Sequence, residues 1–173
     1  MTLFAPIRGL CPPPQVAADV AELPYDVMNR AEATVMAAGR PHSFLHVSRP
    51  DIDLPADAPL SDPRAHALAA QAFARLRADG LLVLDAQARF HAYRLTRGNH
   101  TQTGVVGGAS TTAYDEGLIR RHETTRPDKQ ADRAAHMQAV GAQTGPVFLI
   151  HHPNPTITRL LAQVTAGPAA TDL

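Results

Sequence analysis

At 173 residues, with 45% apolar and 18% charged side chains, the chain has the size and balance of one globular domain able to bury a core. Sixteen basic residues offset sixteen acidic ones, so no net field draws the chain to nucleic acid. One cysteine, Cys11, rules out an internal disulfide and a multi-cysteine metal site, and no apolar run nears the ~20 residues that cross a bilayer.

The start, "MTLFAPIRGL", lacks a long apolar core behind basic residues. No secretory signal is expected, and a cytoplasmic location is. "LFAPIRGL" reads as a short strand broken by "CPPP", and "QVAADVAEL" as one or two helical turns. A "PYDV" turn carries Tyr25 and Asp26, for which capping is the plain role. Asn29 then caps a predicted helix over 30–38, stopped by Gly39 and Pro41. "SFLHVSRP" alternates as a strand does, with His46 on one side and Val47 on the other. His42, His46 and Arg49 lie around it, and a histidine bonded to backbone is the plain alternative to a catalytic one.

A Pro- and Asp-rich loop leads into the clearest predicted helix, over 61–79. Ser61 is its expected N-cap, Pro63 sits in its first turn, and Gly80 ends it. Ala65, Leu68, Ala69, Ala72, Phe73 and Leu76 form its apolar face, which is expected to pack on a sheet. "LLVLD", "RFHAYRLTR" and "QTGVVGGASTTAY" follow as β segments, with a hairpin turn at "GNHT". "GVVGGAS" lacks the Lys-Ser/Thr of a phosphate-binding loop, so small residues packing under a helix explain it better. "YDEGLIRRH" is a short helix capped by Asp115, "PDKQADRAAHMQAVGA" a longer one, "GPVFLIHH" a strand, and "NPTITRLLAQVTAG" a last helix capped by Asn154. The order of elements predicts an α+β fold, a small mixed β-sheet packed with several helices, over a single domain spanning 1–173.

The run "RRHETTRPDKQADR", 120–133, concentrates the chemistry. Nine of its fourteen residues are charged or histidine, and it holds Lys129, the only lysine in the chain. In a chain rich in Ala, Arg and Pro, arginine can replace most surface lysines, but not a compact ammonium that must meet one phosphate or titrate. Pro127 opens the helix, and a helix start attracts anions. Arg126, Lys129, Arg133 and His136 follow one another at helical spacing, beside an acidic row of Asp128 and Asp132. His122 and Glu123 sit just upstream as candidate general bases. The alternative is a solvated helix laced with i,i+4 pairs such as Asp132 with His136. His151 and His152 pair with no carboxylate at metal spacing, so no metal site is expected.

The segments "FAPIRGL", "PYDV", "PHSFLHVSRP", "YRLT", "QTGVVG" and "HETTRPDKQADR", followed by "QTGPVFL", occur in the order of one bacterial and archaeal family, domain-of-unknown-function family 1015. The chain resembles that family over nearly its whole length. Members are about twice as long, which implies that this is the N-terminal part of a longer protein. The family's polar signature matches as His122, Glu123, Thr125, Arg126, Pro127, Lys129, Asp132 and Arg133. Gln130 stands where a glutamate is expected, which weakens any carboxylate role there. The layout is also similar to the ParB/sulfiredoxin-like nucleotide-binding group, which includes kinases of free serine.

Together these readings give an expectation of a nucleotide or small phosphorylated ligand, with phosphate passing from ATP to a small hydroxyl compound such as serine. Glu123 or His122 would be the base and Mg²⁺ a companion of ATP. Arg126, Lys129 and Arg133 would clamp phosphate, with Thr125, Arg49, His46, Tyr25 and Asp26 around the ligand. At least one of His42, His46, Arg49 and Tyr25 should then converge with Arg126 and Lys129. The alternative is a non-catalytic regulatory or nucleic-acid-binding module. Zero net charge argues against extended nucleic-acid contact, since several phosphates need an excess of basic residues.

Overall fold

The computed structural model describes residues 2–59, 62–122 and 124–173. Its elements in chain order are β1 (Phe4–Ala5), β2 (Leu10–Cys11), α1 (Ala17–Val20), α2 (Arg30–Ala37), α3 (Leu45–Ser48), α4 (Arg64–Ala78), β3 (Val83–Leu84), β4 (His91–Arg97), β5 (His100–Val106), β6 (Gly108–Ala109), α5 (Thr111–Asp115), α6 (Pro127–Val140) and α7 (Pro155–Thr165). Two 3-10 turns, Tyr25–Val27 and Pro50–Asp53, flank α2 and α3. The α+β composition holds, with seven helices and small antiparallel sheets among the described residues. The chain divides into two compact units.

The first unit takes the residues up to Leu10 with Leu84–Thr124 and Leu149–Asp172. Its centre is the antiparallel hairpin of β4 and β5, in register from His91↔Val106 to Arg97↔His100. The turn is Gly98–Asn99, with Gly98 at φ 57, the left-handed conformation a two-residue hairpin turn demands. β6 pairs antiparallel with β1. Gly107 is small because β1 needs the space: a Cβ there would meet the Phe4 ring at 2.7 Å and the Ala5 carbonyl at 2.8 Å. Close approach of the β1 segment, rather than of a helix, therefore explains Gly107 and Gly108 of "GVVGGAS", while a Cβ at Gly104 would meet nothing within 4 Å. The α5 helix is capped by Ser110, whose Oγ accepts from the Ala113 amide, and it ends at Asp115 instead of starting there. Asn154 caps α7 as its sequence predicts.

The second unit gathers Cys11–Val83 and Thr125–Phe148 and is helical at its core. Asn29 and Glu32 form a reciprocal capping box at the start of α2. α4 buries Ala65, Ala69, Ala72, Phe73 and Leu76, with Leu68 half-buried. It packs on α3, on the second 3-10 turn and on α6. The expected sheet contact is replaced by helix-on-helix packing, because alanines at 65, 69 and 72 let neighbouring helices come close. α4 starts at Arg64, so Pro63 stands at the cap position, and the Asp62 carboxylate accepts from the Arg64 amide at 2.9 Å. Ser61, the expected cap, lies outside the described residues.

Two predicted strands are not strands. Residues 45–48 form α3, one helical turn, with Leu45, Val47 and Ser48 all buried. So short an apolar run carries no decisive period, and burial on all sides erases the alternation. Residues 146–150 form no regular element, and Val147, Phe148 and Ile150 are largely exposed. Strand propensity needs a pairing partner, and no described strand pairs with them.

Candidate functional site

The site is built in the helical unit around Tyr25. The 3-10 turn Tyr25–Val27 presents the Tyr25 ring to α6, where the Arg133 guanidinium lies 4.9 Å from the ring centroid. Gly145 backs the other chain segment onto the same ring, since a Cβ there would lie 3.9 Å from Tyr25 Cε1. Beneath the turn, Arg49 Nη1 donates to the carbonyls of Tyr25 (3.1 Å) and Met28 (2.6 Å). Its Nε and Nη2 grip Asp51 at 3.0 and 2.9 Å. "PYDV", "HVSRP", "PDKQADR" and "QTGP", distant in the chain, thus meet at one residue.

On α6 the charges fall into distinct roles. Arg126 pairs with Asp128 (2.7 Å), and Arg133 with Asp132 (2.7 Å). The Arg126 guanidinium holds the Asp128 carboxyl below the usual carboxylate range. Burial pushes the Asp132 carboxyl up, but Arg133 and then His66 outweigh it and hold it low. Asp132 receives His66 of α4, Nε2 to Oδ1 at 3.3 Å, in place of the expected pair with His136. His136 is buried and bonds the Val47 carbonyl at 2.8 Å, pinning α6 to α3. Burial pushes its pKa down, so it stays neutral. Lys129 is exposed and, among the described residues, has no carboxylate partner.

A second polar cluster lies at Glu22. Ser48 Oγ donates to its Oε1 at 2.5 Å, and its Oε2 is buried with no hydrogen-bond partner among the described residues. Burial raises the Glu22 pKa from 4.5 to about 7, against the Ser48 hydrogen bond and the charges of Arg40, His46 and Arg49. The folded state therefore binds the proton more tightly than the unfolded chain. This contribution to stability is full below about pH 4.5 and is lost as pH rises through 7. Glu22→Gln is expected to leave stability at pH 4.5 unchanged and to raise it at pH 8 by about 1–2 kcal/mol, allowing for solvent screening. Urea unfolding of both proteins at the two pH values checks this, and equal effects at both would contradict it.

The structure distributes the sequence-predicted site residues unevenly. Tyr25, Arg49 and Arg133 come together, and Lys129 lies one turn before Arg133 on the same helix face. His46 is held between the Asp53 carboxylate (2.9 Å) and the Arg40 carbonyl (3.3 Å). Asp26 is exposed in the 3-10 turn, and Thr125 and Arg126 are exposed ahead of α6. His122 is exposed and belongs to the other unit. Glu123 lies outside the described residues. Sequence reading missed His66 and Glu22. His66 lies on α4 between apolar-face positions, and Glu22 precedes a proline turn with nothing to mark burial. No group of three or more His, Cys, Asp or Glu among the described residues could hold a metal ion, and none of their helices is long and apolar enough to cross a membrane.

The family model described as "Protein of unknown function (DUF1015)" matches residues 4–173. The chain belongs to this family. No curated protein and no solved structure matches it.

Proposed function

We propose that the helical unit binds a nucleotide or other small phosphorylated ligand and transfers a phosphoryl group from ATP to a small hydroxyl compound such as serine. The observation that carries this reading is the meeting of four distant polar segments at Tyr25, with Lys129 left as the α6 cation that no described carboxylate neutralises. Asp128 and Asp132 occupy Arg126 and Arg133, which fixes those side chains; a bound phosphate would compete for them and would take Lys129 outright. Mg²⁺ would arrive on the nucleotide phosphates, since no described cluster could hold it alone. The proposal places the chain in the cytoplasm, where ATP is abundant.

Calorimetric titration of ATP·Mg²⁺ into the full chain tests the reading. Lys129→Ala is expected to weaken binding roughly ten- to a hundred-fold, the loss of one charge-assisted contact of about 1.5–3 kcal/mol. Lys129→Arg should restore part of it, because a planar fork places its donors differently from a compact ammonium. No heat with the wild type across several nucleotides would remove the kinase reading. Binding of oligonucleotide instead would favour the regulatory module.

A further inference from the structure

We propose that His66 is the proton acceptor of this site, oriented by Asp132. The inference rests on the phosphotransfer reading above and moves the role of base, expected of Glu123 or His122 within 120–133, to a residue outside that run. His66 and Asp132 come from different helices, α4 and α6, and meet at 3.3 Å through His66 Nε2 and Asp132 Oδ1. Arg133 holds the other oxygen, Oδ2, at 2.7 and 3.1 Å, so the carboxylate cannot swing away. An ionised carboxylate only accepts hydrogen bonds, so the proton in this contact sits on Nε2. That leaves the lone pair on Nδ1, which has no partner among the described residues. The His66 side chain is a quarter exposed, so it is not sealed from solvent.

The other histidines of this unit lack that combination. His136 is buried on a backbone carbonyl, His46 is held on both ring nitrogens, and His42 is exposed with no carboxylate among the described residues to orient it. The neighbourhood also suits the chemistry. Lys129 and Asp132 are i,i+3 neighbours on α6, so the uncompensated ammonium stands one turn from the dyad. The edge of His136 faces the His66 ring at a 6.2 Å centroid separation, and burial keeps that neighbour neutral.

The step balances as follows. The acceptor's hydroxyl proton passes to His66 Nδ1 while its oxygen forms a bond to the γ-phosphorus of ATP. The bond from that phosphorus to the β,γ-bridging oxygen breaks, and its electron pair leaves with ADP. The resulting imidazolium is stabilised by Asp132 through Nε2–H until the proton passes to water.

The test measures ADP formation by the full chain from ATP·Mg²⁺, with L-serine or water as acceptor, alongside calorimetric binding of ATP·Mg²⁺. His66→Ala should lower the rate about 10²- to 10⁴-fold with ATP binding unchanged, and added imidazole should restore part of the rate. Asp132→Asn should also slow the reaction, without rescue by imidazole, because it disturbs only the orientation of the ring. A His66→Ala rate equal to wild type, or a loss in Glu123→Gln with His66→Ala fully active, would overturn the assignment. So would a loss in His66→Ala that imidazole leaves untouched. ATP binding without ADP formation by the wild type would overturn it while leaving the binding reading intact. No ATP binding at all would remove both.

Discussion

Phe73→Ala is expected to destabilise the helical unit by about 3–5 kcal/mol, as large-to-small changes of a buried aromatic do. Phe73 is 5% exposed and sits in the middle of the α4 face, between Ala69, Ala72 and Leu76. Its neighbours on that face are mostly alanines, too small to fill the vacated space, so collapse offers little relief. The Arg77 guanidinium, 5.9 Å from the ring centroid, would lose its aromatic contact as well. Urea unfolding followed by circular dichroism at 222 nm measures the change. A loss below about 1 kcal/mol would mean that α4 is not the centre of the packing.

Arg49→Ala should cost about 3–5 kcal/mol, the typical penalty for removing one partner of a buried ion pair. Side chains of Arg49 and Asp51 are 15% and 12% exposed, and the guanidinium also serves two carbonyls of the Tyr25 turn. Truncation leaves a carboxylate and two backbone acceptors without their donor. Arg49→Lys should recover only part, since one ammonium cannot reach both oxygens of Asp51 and both carbonyls. The double change Arg49→Ala with Asp51→Ala should be milder than Arg49→Ala alone, because no unpaired charge remains. Near-ultraviolet circular dichroism from the three tyrosines would report loosening of the Tyr25 turn, as the chain has no tryptophan. Strictly additive costs for the two single changes would contradict the coupling.

These two residues show what could be read from sequence and what could not. Phe73 stands in a helical repeat of apolar residues, and the structure buries it where that repeat puts it. Asn29, Asn154 and Gly98 mark two helix starts and the hairpin turn through local chemistry, and each is found in that role. Arg49 reads equally well as a phosphate ligand or a structural clamp, because a guanidinium suits both. Only the positions of Asp51 and two carbonyls separate them. Within the strand expected over 43–50, residues 45–48 form a helical turn, since three buried residues out of four carry too little period to choose. His66 and Asp132 are far apart in the chain and each bland alone; their pairing depends on α4 and α6 packing side by side. The polar signature pointed to α6, and the structure sorts its cations into Arg126 and Arg133, paired, and Lys129, which meets no described carboxylate.

Amide chemical-shift mapping during titration of ATP·Mg²⁺ into isotope-labelled full chain tests the central claim most directly, because it reads where the nucleotide lands as well as whether it binds. The account predicts saturable shifts at Asp128, Lys129, Asp132 and Arg133 of α6, at Tyr25 and Asp26 of the 3-10 turn, and at Gly145, with the hairpin of β4 and β5 unmoved. Shifts confined to that hairpin or to α7, or none at millimolar ATP·Mg²⁺, would contradict it.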